Sequence, residues 1–252
     1  MKKYTLKNNI EIFLSYVVFS IIWELIALKV DNDIYLPTIG KVLNNLYEII
    51  KTKGFYLNLL STIARTFISF TIASFIAILI GSLSYLSSTF KNMMMPLKNI
   101  LQSVPTMILV VLILIWFDKE KAPFIIGISI VLPILYESVL GALNNIDKNI
   151  IEMVDIYNVL VIEKIKFIYI PSIKLSLAPI LISTVSLAFK VVIAGEIYGQ
   201  PYYGIGTIIQ TEKINFNTTA IFAWIIVIVI ISILLNCAQK HITEMNYKWR
   251  KK

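Results

Sequence analysis

Apolar residues along this chain gather into long runs, interrupted by polar and charged residues at only a few places. Thr66–Phe90 carries no charge, and neither does Ile214–Gln239. A helix needs about 20 apolar residues to cross a bilayer, so both runs predict membrane spans. Asn99–Phe117, broken by Pro105, predicts a third. Ala122–Leu143 predicts a fourth with Pro133 and Glu137 inside it, and Leu175–Gly195 a fifth with Pro179 and Lys190. Ile10–Val30 is the weakest, because Glu11 stands at its edge and Glu24 interrupts it. The expectation is six spans and an all-α chain.

The connecting segments have patterns of their own. In Thr38–Lys53, Ile39, Val42, Leu43, Leu46, Ile49 and Ile50 recur at helical spacing with polar residues between them. That pattern predicts an amphipathic helix lying on the outer membrane surface. Lys91–Lys98 is expected to be a short basic turn and Asp118–Lys121 a tight charged one. Glu196–Asn217, rich in Gly and Tyr, is expected to be a re-entrant or surface loop. Within the second span, Ser69, Ala73, Ala77 and Gly81 form a ridge of small residues, which lets another helix approach closely. Arg65 precedes the ridge by one turn, where it is expected to snorkel or to take a local carbonyl partner.

Residues 147–173 break the pattern. Asp147, Lys148, Glu152, Asp155, Glu163, Lys164 and Lys166 rule the stretch out as a span, since each charge at the bilayer centre costs about 2.5–3.5 kcal/mol on insertion scales. Yet Ile150, Ile151, Met153, Val154, Val159, Leu160, Ile162, Ile165 and Phe167 are more apolar residues than a solvated connector needs. The stretch is therefore a helical loop outside the membrane with something packed against it.

Composition agrees with a polytopic membrane protein. The chain of 252 residues is 58% hydrophobic and 15% charged with a mean hydropathy of +0.79, whereas a soluble domain carries about 25% charged residues. The formal charge of +8 reads as positive-inside flanking of spans rather than as a nucleic-acid surface, so no nucleic-acid partner is expected. Six spans place both termini on one side. Lys2, Lys3, Lys7, Lys91, Lys98, Lys148, Lys164, Lys166, Lys174 and the basic C-terminal residues crowd that side, which makes it cytoplasmic. Cys237 is alone, so no disulfide framework exists. The first apolar stretch has no small-residue cleavage site and is expected to be a retained span.

Several chemistries find no support. No G-x-x-x-x-G-K-[ST] phosphate loop occurs, so the chain is not expected to bind or hydrolyse ATP. The single histidine, His241, falls at the cytoplasmic mouth, and no metal cluster or nucleophile–base pair is legible. No catalytic residue and no cofactor are expected.

The charged stretch carries a resemblance. Glu152-Met153-Val154, Asn158 six residues after the glutamate, then Ile162 and Pro171, resemble the cytoplasmic "EAA" loop of permease subunits of bacterial ATP-binding-cassette importers. That loop usually reads Glu-Ala-Ala, three residues, Gly, about nine residues, Ile, a short gap, Pro. Met153 and Val154 replace the alanines and Asn158 the glycine; after Gly, Asn best tolerates the positive φ of a turn between two short helices. Leu36-Pro37-Thr38, Ser61 to Arg65, Val104-Pro105, Leu114-Ile115-Trp116-Phe117, Ala194-Gly195-Glu196 and Gly204-Ile205-Gly206 are similar to motifs in the branch for nitrate, sulfonates, taurine and thiamine-precursor pyrimidines.

The resemblance implies a type I importer permease fold in the bacterial plasma (inner) membrane. It divides the chain into 1–56 (cytoplasmic N-terminus, first span and external amphipathic helix), 57–240 (importer transmembrane domain of five core helices, coupling loop 144–173) and 241–252 (basic cytoplasmic tail). It further implies partners: ATP-binding-cassette ATPase subunits, a second permease copy as a homodimer, an extracellular solute-binding protein, and membrane lipid. Glu152, Asp155, Asn158, Val159, Ile162 and Pro171 would dock the ATPase.

Charges inside spans are functional candidates by default, and Glu137, Lys190 and Glu196 are the candidate translocation-path residues. Lys190 either offsets Glu137 or Glu196 from a neighbouring span or snorkels outward, or it lines the path and attracts an anionic solute. The competing class is a secondary transporter of a small anion without an ATPase. The absence of an internal repeat and the docking character of 147–173 argue against it.

Overall fold

The structure is a computed structural model that describes residues 6–246, with side chains described from Ile10 to Leu235 and at Cys237 and Ala238. The basic residues Lys2, Lys3, Lys248, Arg250, Lys251 and Lys252, and the side chain of His241, lie outside what is described. The described chain is helical. Its helices are α1 (Leu6–Val30), α2 (Ile39–Lys51), α3 (Lys53–Leu86), α4 (Ser88–Ser103), α5 (Thr106–Trp116), α6 (Ala122–Asn144), α7 (Lys148–Ile156), α8 (Val161–Lys164), α9 (Ile170–Leu177), α10 (Leu181–Gly199), α11 (Ile205–Ile214) and α12 (Thr218–Asn246). A π-helical segment, Ile165–Tyr169, joins α8 to α9.

Helices α1, α3, α6, α10 and α12 are each long and apolar enough to cross a membrane, and the bent pair α4–α5 makes a sixth crossing if counted as one. The centre is α6, packed between α3 and α10. The small-residue ridge makes that possible. Ser69, Ala73 and Ala77 have no exposed surface. A Cβ at Gly81 would come within 2.7 Å of Val139 Cγ1, and one at Gly127 on α6 within 2.9 Å of Ser69 Cβ. Phe70, Val131, Leu135, Tyr136, Val185 and Ala188 fill the space around that contact.

Helix α1 lies at the periphery, with most of its apolar side chains exposed. Its far end is nevertheless tied down. Trp23 Nε1 donates to the Pro37 carbonyl at 2.9 Å, and Glu24 Oε2 accepts from the Ile39 N–H at 2.9 Å. Glu24 thus supplies an acceptor to the first amide of α2, one of the donors every helix start leaves unsatisfied. The apolar face of α2 packs on α12 with Val42 buried.

Several stretches differ from the sequence expectation, among them the fifth span, whose helix α10 starts only at Leu181. The second span begins at Lys53 rather than Thr66; at 34 residues it rises about 50 Å, well beyond the ~30 Å hydrocarbon core. Lys91–Lys98 is not a turn but part of the amphipathic helix α4, in which Pro96 is accommodated. The expected span Asn99–Phe117 is two pieces meeting at 106°. Pro105 has no N–H to donate and disfavours helical backbone before it, and Val104 is accordingly extended at ψ 127°. What remains, α5, has 11 residues and rises only about 16 Å. Within 196–217 the expected loop contains α11.

Candidate functional site

At one end of the bundle, residues 147–173 form a helical hairpin. Asp147 begins it, its carboxylate accepting the Asn149 N–H at 2.9 Å. Helix α7 ends at Ile156, and the chain reverses through Asn158, whose φ is 51°. The Asn158 N–H donates to Asp155 O at 3.0 Å and the Val159 N–H to Val154 O at 3.0 Å, closing the turn. Asp155 also takes Lys164 as an ion-pair partner across the hairpin. Pro171 falls in the first turn of α9. The π-helical segment lies directly before it, where a straight α-helix would set the proline ring against the carbonyl four residues back.

The hairpin faces outward with apolar side chains. Ile156 and Tyr157 are each 77% exposed and Ile162 75%, with Leu160, Val161 and Phe167 also exposed. Exposed apolar side chains interspersed with charge make this hairpin a candidate binding surface. Glu152 is exposed on the same hairpin and has no ion-pair partner among the described residues. Behind the hairpin, Val154 is buried. Ile173 packs with Val139, Ala142 and Leu143 of α6, and Tyr169 meets Tyr85 of α3 edge-on at 5.8 Å. The inner side of the hairpin segment thus rests on α6 and α3.

At the opposite end of α10 lies a buried charge cluster. Glu196, with no exposed surface, accepts from Arg65 Nη1 at 2.8 Å, Thr62 Oγ1 at 2.8 Å and the Gly206 N–H at 3.0 Å. Arg65 also donates to the Tyr203 carbonyl and, through Nη2, to Glu120 at 2.9 Å. Glu120 Oε1 accepts the Tyr202 N–H at 2.6 Å. Asn58 Oδ1 accepts the Gly204 N–H at 2.8 Å, and Thr62 Oγ1 the Ile205 N–H at 2.9 Å. Residues of α3, the α5–α6 turn, α10 and the start of α11 are locked together. The turn that presents Glu120 is built by Asp118, whose carboxylate accepts the Lys121 and Glu120 N–H groups at 3.1 Å each. Those bonds hold the Asp118 carboxyl below its ordinary pKa. Gly204 and Gly206 are required by space: a Cβ at Gly204 would fall 2.5 Å from Glu196 Cδ, and one at Gly206 would strike the Ile193 carbonyl.

The intramembrane candidates separate. Glu137 pairs with Lys98 of α4 at 2.8 Å and borders an open cavity beside Lys91, Asn92 and Asn144. Lys190 is exposed, with no ion-pair partner among the described residues. The expectation that it offsets Glu137 or Glu196 therefore gives way, because Lys98 and Arg65 hold those carboxylates. Glu196 is held inside the cluster with no exposed surface. Arg65 does take a carbonyl partner, but its two carboxylates, Glu120 and Glu196, go beyond that expectation. The signal lay in the motifs: Ser61 to Arg65, Ala194-Gly195-Glu196 and Gly204-Ile205-Gly206 converge on this one cluster.

Residues 58–244 match a family described as the binding-protein-dependent transport system inner membrane component. A putative ABC transporter permease protein of Methanocaldococcus jannaschii is 26% identical over 237 residues, 92% of this chain and 88% of that one. A putative aliphatic sulfonates transport permease of Bacillus subtilis is 22% identical over 235 residues, 91% and 83% of the two chains. Among solved structures, the inward-facing MetNI methionine ABC transporter shares the fold, with a TM-score of 0.62 at 19% identity over 76% of this chain and 97% of that one.

Proposed function

The chain belongs to the family of binding-protein-dependent transport system inner membrane components, and on that premise we propose how this ABC importer permease subunit works and with what. Two copies form the pathway, and a solute-binding protein delivers cargo from outside. Separate ATPase subunits dock on the α7–α8 hairpin through Glu152, Asp155, Asn158, Val159 and Ile162, with Pro171 setting the following helix. The observation that carries this reading is the hairpin itself: a turn fixed by Asn158 at φ 51°, and apolar side chains exposed where no span needs them.

ATP binding brings the two ATPases together, the hairpins move as levers, and α6 and α9 carry the displacement into the bundle. The hairpin and both termini face the cytoplasm, and the membrane is the bacterial inner membrane. Residues 57–240 form the transport unit, with 1–56 and 241–252 as flanking segments. The cargo is a small anion such as a sulfonate. The 22%-identical relative named for aliphatic sulfonates and an exposed Lys190 without a counter-ion among the described residues support that class. Proteoliposomes holding the permease and its ATPase should take up solute only with ATP and binding protein present, and vanadate should stop them. Uptake persisting without the ATPase would identify a secondary transporter instead.

A further inference from the structure

Between α2, the start of α3, α11 and the start of α12 lies a cavity of about 250 Å³, lined by Asn45, Thr52, Asn58, Glu212, Asn217 and Trp224, among others. It stands at the charge-clamp end of the bundle, away from the hairpin. Its volume exceeds that of a single water, roughly 30 Å³, several times over.

Most polar atoms on its wall are already committed. Thr52 Oγ1 donates to Ile49 O at 2.7 Å and accepts the Phe55 N–H. Asn58 donates to Gly54 O and accepts from Gly204. Asn217 donates to Glu212 Oε2 at 2.8 Å and accepts from Ala220. Two acceptors are left over. Asn45 Oδ1 is buried with no hydrogen-bond partner among the described residues, and such an atom is destabilising unless something donates to it. Glu212 has a second carboxylate oxygen, and no cation pairs with it among the described residues. Lys51, on the same helix as Asn45, lies instead over the Tyr47 ring at 3.8 Å. The cavity wall also carries the stacked rings of Phe55 and Trp224, 5.3 Å between centroids.

A buried amide oxygen, an uncompensated carboxylate and two aromatic rings call for one kind of guest, a cationic hydrogen-bond donor. We propose that this cavity is a binding site for an alkylammonium or guanidinium group. The site lies away from the hairpin, and its assignment rests on no assumption about what the permease carries. The group can belong to a free small amine or to a Lys or Arg side chain projecting from a protein on that face.

The test is calorimetric titration of the full-length chain in nanodiscs with n-butylguanidinium chloride, against choline chloride at equal ionic strength. Saturable binding at one site per chain is expected. Glu212→Gln should weaken it at least tenfold, and Asn45→Asp, which adds charge where the orphan acceptor stands, should tighten it several-fold. Both variants should keep the elution profile of the parent. The peptide acetyl-Gly-Arg-Gly-amide separates the sources: affinity equal to butylguanidinium supports a protein side chain, and affinity for the small cation alone supports a free amine. No saturable binding, or binding that neither variant changes, would overturn the site while leaving ATP-driven uptake untouched.

Discussion

Arg65 and Glu196 are 131 residues apart in the chain and meet at 2.8 Å, both buried. Their pairing fastens α3 to the end of α10, and through Glu120 and Tyr203 it also holds the α5–α6 turn and the loop before α11. Breaking a buried pair by removing one partner costs about 3–5 kcal/mol, because the survivor is left as an unpaired buried charge. Arg65→Met should therefore lower the melting temperature of the purified permease sharply. The double variant Arg65→Met with Glu196→Gln should recover part of the loss. Additive effects in that cycle would mean the pair is not coupled.

Gly206 lies where a side chain cannot. Gly206→Ala should cost about 1–3 kcal/mol through overpacking against the Ile193 carbonyl and Glu196. At Gly141 a Cβ would meet open space, with nothing within 4 Å, so Gly141→Ala should leave stability unchanged or slightly raised. Thermal unfolding of the two variants side by side checks the contrast.

Asn158 holds φ 51°, a conformation that costs most residues about 1–2 kcal/mol and glycine almost nothing. Asn158→Gly should support solute uptake at the parental rate, whereas Asn158→Val should reduce it severalfold by distorting the hairpin. Equal uptake by both variants would show that the turn geometry is irrelevant to transport.

Lys190 is the proposed contact for an anionic cargo. If its ammonium attracts the solute, Lys190→Met should abolish uptake while leaving assembly and ATPase binding intact, and Lys190→Arg should restore a measurable rate. Uptake by Lys190→Met at the parental rate would exclude it from the path.

Much of the architecture is legible in the sequence because membrane spans and small-residue ridges are local signals. Ser69, Ala73, Ala77 and Gly81 announce a close helix contact, and α6 makes it. Asn158 announces a positive φ, and the structure has it. The partner of a buried charge is not a local signal. The motifs around Arg65, Glu196 and Gly206 stand out one by one, but none says which carboxylate Arg65 meets, because the fold alone brings the distant segments together. Helix α4 escapes the sequence for a different reason: Lys91, Lys98 and Pro96 resemble a turn until the helix is seen against α6. Pro105 signals a break but not its angle, which the packing of α5 on α6 decides.

Docking of the ATPase on the α7–α8 hairpin is tested most directly by co-purification. Permease carrying Glu152→Lys or Ile156→Asp should lose its ATPase partner and its stimulated ATP hydrolysis, while the melting temperature stays at the parental value because both side chains are exposed. Retention of the ATPase and of full stimulation by both variants would contradict docking at the hairpin.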